Sequence, residues 1–151
     1  MEQHLVQQLI DSYQTTYIRA TKDISEIINS LDREISTEQF FFLRELKKTD
    51  GISATDMAKR LNVNKSAITS KIKHLEEKRY IKKEVNLSDK RSMIVSMTDK
   101  GAAFTVKCEQ VVERLIATWL NQLGDEESSQ FVHLYSQFTT EVFQHVKEEN
   151  N

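Results

Sequence analysis

The chain contains 151 residues, enough for one domain, or one small domain with extensions, to bury a hydrophobic core. It has no proline, three glycines and one cysteine, so its composition favours long helices and excludes an internal disulfide. The net charge of −2 hides a strong asymmetry: residues 59–91 carry eleven Lys or Arg against four Asp or Glu, which gives +7 within a remainder of −9.

A basic segment in an acidic scaffold is typical of a protein that binds duplex DNA. No apolar stretch reaches the length of a membrane span, and the first residues lack the basic and apolar regions of a secretory signal. We therefore expect a soluble cytoplasmic protein with no membrane partner.

The first predicted element is a helix of about seven turns. Apolar residues recur at helical spacing from Leu5 through Tyr13 and Ile24 to Leu31. This stripe is longer than one small domain needs to cover its own core. We assign residues 1–34 to an N-terminal dimerisation helix.

Residues 35–98 have the pattern of a winged helix-turn-helix. Ser36 and Gln39 have the spacing of a capping box, and Ser53 is placed to cap a short helix. Asn64 can cap a longer helix, roughly residues 65–78, whose face opposite the core is polar and basic. Residues 81–85 and 92–97 then alternate as two strands joined by a polar tip, which predicts the wing.

Residues 99–151 read as C-terminal dimerisation helices. One apolar stripe passes through Cys108 and Trp119, and another runs from Phe131 to Val146. The predicted fold is mainly α with a small β-wing: a winged helix-turn-helix flanked by long N- and C-terminal dimerisation helices. A homodimer would cover both terminal stripes and present two recognition helices to one duplex.

Four short segments in register resemble the MarR family of winged helix-turn-helix regulators. They are Leu61-Asn62-Val63-Asn64-Lys65-Ser66-Ala67-Ile68-Thr69, Leu75-Glu76, Asp89-Lys90-Arg91 and Met97-Thr98-Asp99-Lys100-Gly101. The resemblance implies an obligate dimer that usually represses transcription and often releases DNA on binding a small aromatic or amphipathic ligand. The chain departs from the family at Ser70, where a basic residue is usual, and at Arg79, where a glycine often ends the recognition helix.

The candidate DNA-binding residues lie on the recognition helix and the wing. Arg91 at the hairpin tip would enter the narrow minor groove, and the resemblance implies that Asp89 orients it. The alternatives are a solvated helix face and an Asx-type turn carrying two solvated cations. The full set of expected contacts is Asn64, Lys65, Ser66, Thr69, Ser70, Lys71, Lys73, Lys82, Asp89, Lys90 and Arg91.

Other candidate sites are weaker. Tyr13, Tyr17, Phe40 and Phe41 could line a ligand crevice, although aromatic stripes at helical spacing are more often plain core. Some MarR-family members sense oxidants through cysteine, but Cys108 falls on an apolar stripe, which favours core packing. The four histidines are scattered, so we expect no metal site and no cofactor.

The function predicted from these residues is that of a dimeric, sequence-specific DNA-binding regulator. We expect a ligand-responsive repressor that binds a pseudo-palindromic operator. The alternative is a winged-helix protein-interaction module, an anti-regulator or adaptor, which should have an apolar or acidic recognition face and no arginine on its wing. The chain has no glycine-rich phosphate loop and no Ser/His/Asp grouping, so we expect no enzymatic activity and no catalytic residue.

Overall fold

The computed structural model describes residues 2–89 and 91–148, with side chains as far as Phe143. The described residues form six helices and three strands, which confirms the predicted class of a mainly helical chain with a small β-wing. In chain order these are α1 (Gln3–Asn29), α2 (Thr37–Leu46), β1 (Ile52–Ser53), α3 (Ala54–Leu61), α4 (Lys65–Glu77), β2 (Ile81–Val85), β3 (Met93–Met97), α5 (Asp99–Asn121) and α6 (Asp125–Glu148).

Side-chain caps fix where the central helices begin. At α2 the Ser36 hydroxyl accepts from the Gln39 N–H, and Gln39 Oε1 accepts from the Ser36 N–H at 2.9 Å, which completes the predicted capping box. Ser53 caps α3 in the same way, and Asn64 Oδ1 accepts from the Ala67 N–H at 2.8 Å to cap α4. These caps satisfy backbone donors that the first turn of a helix leaves free.

The three strands form one antiparallel sheet in the order β1-β3-β2. The wing register pairs Ile81 with Met97 and Val85 with Met93, close to the predicted strands. The sequence analysis missed β1, whose Ile52 pairs with Val95. Two residues are too few to show the alternation by which a strand is recognised in a sequence.

The hydrophobic core joins the end of α1 to the winged helix-turn-helix and the first half of α5. The recognition helix α4 contributes Ile68, Ile72 and Leu75, which is the apolar stripe expected for it. The largest fully buried side chains are Phe40, Phe42, Ile28, Ile35, Leu43, Leu46, Met57, Ile68, Leu75, Ile81, Val95 and Thr105. This core orients the opposite face of α4 towards solvent.

Backbone contacts divide the chain into two compact units, one ending at Val112 and the other beginning at Glu113. Within the first unit, α1 exposes apolar side chains at Leu5, Leu9, Tyr13 and Tyr17. Within the second, α6 exposes Phe131, Val132, Leu134, Tyr135, Phe138, Val142 and Phe143. In the residues that the structure describes, no helix is long and apolar enough to cross a membrane.

Candidate nucleic-acid interface

Helices α3 and α4 present a polar, exposed face of the helix-turn-helix. Of the predicted contacts on this face, Lys71 is half-buried. The others, Asn64, Lys65, Ser66, Thr69, Ser70 and Lys73, are exposed. The structure therefore brings together on one surface the residues that the sequence placed on the recognition helix.

Hydrogen bonds within α4 already engage three of these polar side chains. Asn64 Oδ1 accepts from the Ser66 hydroxyl at 2.8 Å, and the Thr69 hydroxyl donates to the Lys65 carbonyl oxygen at 2.9 Å. In these rotamers the protons of both hydroxyls are used, while the oxygens keep free lone pairs. Ser66 and Thr69 are thus arranged to accept from base amino groups, whereas the exposed lysines remain donors.

The wing tip is organised by its own polar side chains. The Asn86 N–H donates to the Ser92 carbonyl oxygen at 3.0 Å, and the Arg91 N–H donates to Asp89 Oδ1 at 3.0 Å. In the described part of the wing, no ion pair within 4.0 Å joins the Asp89 carboxylate to the Arg91 guanidinium. The Asp89 carboxylate thus accepts from the backbone N–H of Arg91, as in an Asx turn. The guanidinium of Arg91 is exposed and is free to donate to another partner. Lys90, also predicted to bind DNA, lies outside the described residues.

Four described cations of the basic segment form ion pairs, namely Arg60, Lys78, Lys82 and Lys83. Lys82 pairs with Glu84 at 3.0 Å, Lys83 pairs with Glu76 at 3.0 Å, and Arg60 approaches Glu45 at 3.4 Å. These exposed pairs stabilise the fold little. Within the described residues, no acidic partner lies within 4.0 Å of Lys59, Lys65, Lys71, Lys73, Arg79 or Arg91. These six cations keep their full charge available for an anionic partner.

Comparison with known proteins identifies the family. A model of the MarR family matches residues 35–93. The repressor MdtR of Bacillus subtilis is 31% identical over 113 residues, which cover 72% of this chain and 71% of MdtR. This chain belongs to the MarR family. Proteins of that family are DNA-binding transcriptional regulators and not enzymes, and the same holds for this chain.

Solved MarR-family structures share the fold. A cysteine-to-serine mutant of Escherichia coli MarR complexed with operator DNA has a TM-score of 0.75 at 24% identity, covering 87% of this chain and 93% of that one. A MarR regulator from Methanosarcina mazei has a TM-score of 0.80 at 18% identity, covering 91% and 98%. The similarity therefore extends beyond the matched residues to nearly the whole fold.

The aromatic residues considered for a MarR-family ligand site fall into two groups. Tyr13 and Tyr17 stack on the exposed face of α1, with ring centroids 6.3 Å apart. Phe41 is partly exposed, whereas Phe40 is only 1% exposed and belongs to the core. Phe40 therefore has almost no ring surface left for a ligand, while the two tyrosines and Phe41 keep theirs.

Cys108 is buried on α5. Burial, together with the nearby carboxylates of Asp32 and Glu109, raises the pKa of its thiol to about 12. A thiol in this environment stays protonated and is a poor nucleophile. Among the described side chains, no group of three or more His, Cys, Asp or Glu could hold a metal ion.

Proposed function

We propose that this chain is a homodimeric, sequence-specific repressor that binds a pseudo-palindromic operator and responds to a small aromatic or amphipathic ligand. The observation that carries the proposal is that α4 and the wing both expose cations, Lys65, Lys73 and Arg91, and that no acidic partner lies within 4.0 Å of them among the described residues. The similar protein MdtR is a repressor, which supports repression of transcription by this chain over activation.

Specific binding would combine two kinds of contact. Asn64, Lys65, Ser66, Thr69, Ser70, Lys71 and Lys73 would lie in or beside the major groove, with some reading base edges and others binding phosphates. Arg91 would enter the minor groove, with Asp89 shaping the turn that presents it. Lys82 and Lys90 would bind phosphates, which positions the protein without reading sequence.

The dimer proposal rests on the terminal helices. On α1 the dimer would cover the exposed Leu5, Val6, Leu9 and Ile10, and on α6 it would cover the exposed apolar side chains between Phe131 and Phe143, because these are too numerous for a monomer in water to leave uncovered. Tyr13 and Tyr17 are not counted in this interface. We propose residues 1–34 and 99–151 as the dimerisation segments and residues 35–98 as the DNA-binding domain. Two-fold symmetry would then place the half-site centres about 10 bp apart.

The ligand proposal rests on Tyr13, Tyr17 and Phe41. Their exposed rings could stack on an aromatic effector, which fits the sequence expectation for this family. An effector that binds one state of the dimer better than the other would shift its affinity for DNA.

A salt titration of DNA binding tests the proposed function. The affinity should fall steeply as salt rises, with a log–log slope near −0.9 for each phosphate contact. A duplex selected from a random pool should bind at least roughly 10³-fold more tightly than unselected duplex. A protein-interaction module without specific DNA binding would show neither the steep slope nor an enriched sequence.

A further inference from the structure

Two basic side chains at the end of the recognition helix, His74 and Lys78, bind other parts of the same chain. His74 lies in the last turn of α4, and Lys78, four residues later, is its C-cap residue. Both contact residues 32–39, which comprise part of the loop after α1 and the first turn of α2. Lys78 Nζ lies 2.9 Å from Asp32 Oδ2 and 2.6 Å from Glu34 Oε2. The sequence analysis counted Lys78 within the basic segment.

Asp32 is the centre of this network. Besides Lys78, its carboxylate accepts from the Tyr80 hydroxyl at 2.7 Å and from the Glu34 N–H at 3.0 Å. Tyr80 is 6% exposed and stacks on Phe104 of α5, with ring centroids 4.5 Å apart. One carboxylate therefore joins the segment after α1 to the end of the recognition helix and to the residue that precedes the wing.

Gln39 holds the helix one turn earlier. Its Oε1 accepts from the Ser36 N–H in the capping box, so its Nε2 faces His74 and donates to Nδ1. Gln39 is only 8% exposed, and both ends of its amide are engaged. The start of α2 is thus coupled to the recognition helix through a side chain with little freedom to move.

We propose that Asp32 and Gln39 are positioning residues that set how the recognition helix is presented to DNA, acting through Lys78 and His74. The inference rests on the proposed function, because its readout is operator binding. Neither residue lies on the exposed DNA-binding face. Supporting contacts of this kind hold a recognition surface in its productive geometry, and their loss weakens specific binding more than non-specific binding.

The charge of Asp32 makes the proposal testable by sign. Asp32→Asn removes a negative charge next to the end of the recognition helix, which by electrostatics alone would strengthen binding to every duplex. Loss of positioning would instead weaken binding to the operator only. Glu26→Gln is a matched control, since Glu26 pairs only with Lys22 on the surface of α1 and its charge change is the same.

The experiment measures the dissociation constants of the full chain for the selected operator and for random duplex. The temperature is kept below the unfolding transition of every variant. We expect Asp32→Asn to weaken operator binding about 10-fold. Its binding to random duplex should be unchanged or slightly tighter, and its salt slope unchanged or slightly steeper. Glu26→Gln should keep the wild-type ratio of operator to random binding, with binding to both duplexes unchanged or slightly tighter. If Asp32→Asn keeps the wild-type ratio of operator to random binding, the positioning role is wrong.

A double-mutant cycle shows whether Asp32 acts through Lys78. The loss in operator preference for Asp32→Asn with Lys78→Met should match that of the larger single mutant, because both remove one network. Additive losses would overturn the coupling. If Asp32→Asn does not fold, Tyr80→Phe replaces it, because this variant removes only the hydroxyl that donates to Asp32 and keeps the stacked ring. Tyr80→Phe should lower operator preference about 3-fold. An unchanged preference would overturn the proposal. A wild type with no sequence preference would refute the proposed function itself.

Discussion

At the scale of single residues, the account depends on which cations face the DNA. Arg91 and Lys65 are exposed, and no acidic group in the described part of the chain pairs with them, whereas Lys78 is bound by Asp32 and Glu34. These contacts hold the pKa of Lys78 above its ordinary value, since the ammonium loses both bonds when it deprotonates. The local charge of +7 therefore overstates the charge that the domain presents to a duplex.

The wing arginine yields the first prediction. Arg91→Ala should weaken operator binding without unfolding, because the side chain lies outside the core, and the salt slope should shrink by about one. Arg91→Lys should keep the slope but lose roughly 10-fold in affinity, because it retains the charge and loses the planar donor fork. If Arg91→Lys binds as tightly as the wild type, Arg91 is a simple phosphate contact.

Arg79 yields a prediction about stability. It ends the recognition helix at φ 60°, where the Tyr80 N–H reaches back to the Leu75 carbonyl oxygen. This is a left-handed cap that glycine adopts without strain. Arg79→Gly should raise the free energy of unfolding by about 1 kcal/mol in urea denaturation. Asn62→Gly is the control, because Asn62 also has a positive φ of 52° but asparagine tolerates that region. This variant should gain less free energy of unfolding than Arg79→Gly. An equal or smaller gain for Arg79→Gly would show that the cap at Arg79 is unstrained.

Local residue chemistry was the part that the sequence could predict. Ser36, Gln39 and Asn64 act on backbone groups three residues away, so their roles follow from spacing. The contact of Asp32 with Lys78 spans 46 residues, and no periodic pattern connects them. The sequence analysis therefore predicted the caps, the recognition face and the wing, and it missed the network that holds them together.

At the scale of elements, the exit of the recognition helix is packed tightly against the start of α5. Lys100 Nζ donates to the Lys78 carbonyl oxygen at 2.9 Å, and the Thr98 hydroxyl donates to the Arg79 carbonyl oxygen at 2.7 Å. A Cβ on Gly101 would lie 1.9 Å from the Tyr80 carbonyl oxygen. Only glycine allows α5 to approach the chain this closely at the beginning of the wing.

Gly101→Ala should therefore destabilise the fold strongly. The added methyl would meet backbone and not a movable side chain, so the expected loss is roughly 3 kcal/mol in the free energy of unfolding. Ala103→Ser is a control on an exposed position of the same helix and should change stability little. A Gly101→Ala protein with wild-type stability would mean that α5 can shift away from Tyr80 without cost.

The Asp32 network predicts a pH dependence of stability. Burial raises the pKa of Asp32, but hydrogen bonds from Lys78, Tyr80 and the Glu34 N–H outweigh it and leave the pKa below its ordinary value. The stabilisation is therefore complete above the unfolded-state pKa and is lost as pH falls through the lowered folded-state pKa. As the pH falls from roughly 5 to 2, the free energy of unfolding of Asp32→Asn should therefore decrease less than that of the wild type. Because Glu45 and Glu109 also have lowered pKa values in both proteins, only the difference between the two curves reports Asp32; parallel curves would contradict the prediction.

At the scale of the whole molecule, the proposed homodimer rests on the terminal helices. A second copy would cover apolar side chains exposed on α1 and α6, and two-fold symmetry would then add a second recognition helix. The sequence predicted both stripes from helical periodicity. The excess of apolar surface on these stripes also led to the prediction of a homodimer. Periodicity could not predict which residues of the two chains would meet, because it shows which face is apolar and not what covers it.

Footprinting on an operator selected from a random duplex pool tests whether the chain is a dimeric, sequence-specific regulator. We expect two protected patches related by an approximate two-fold axis, with centres about one helical turn, roughly 10 bp, apart. Each patch should include a major-groove segment for α4 and a minor-groove segment for the Arg91 wing. A single asymmetric patch, or no enriched sequence at all, would contradict a dimeric sequence-specific regulator.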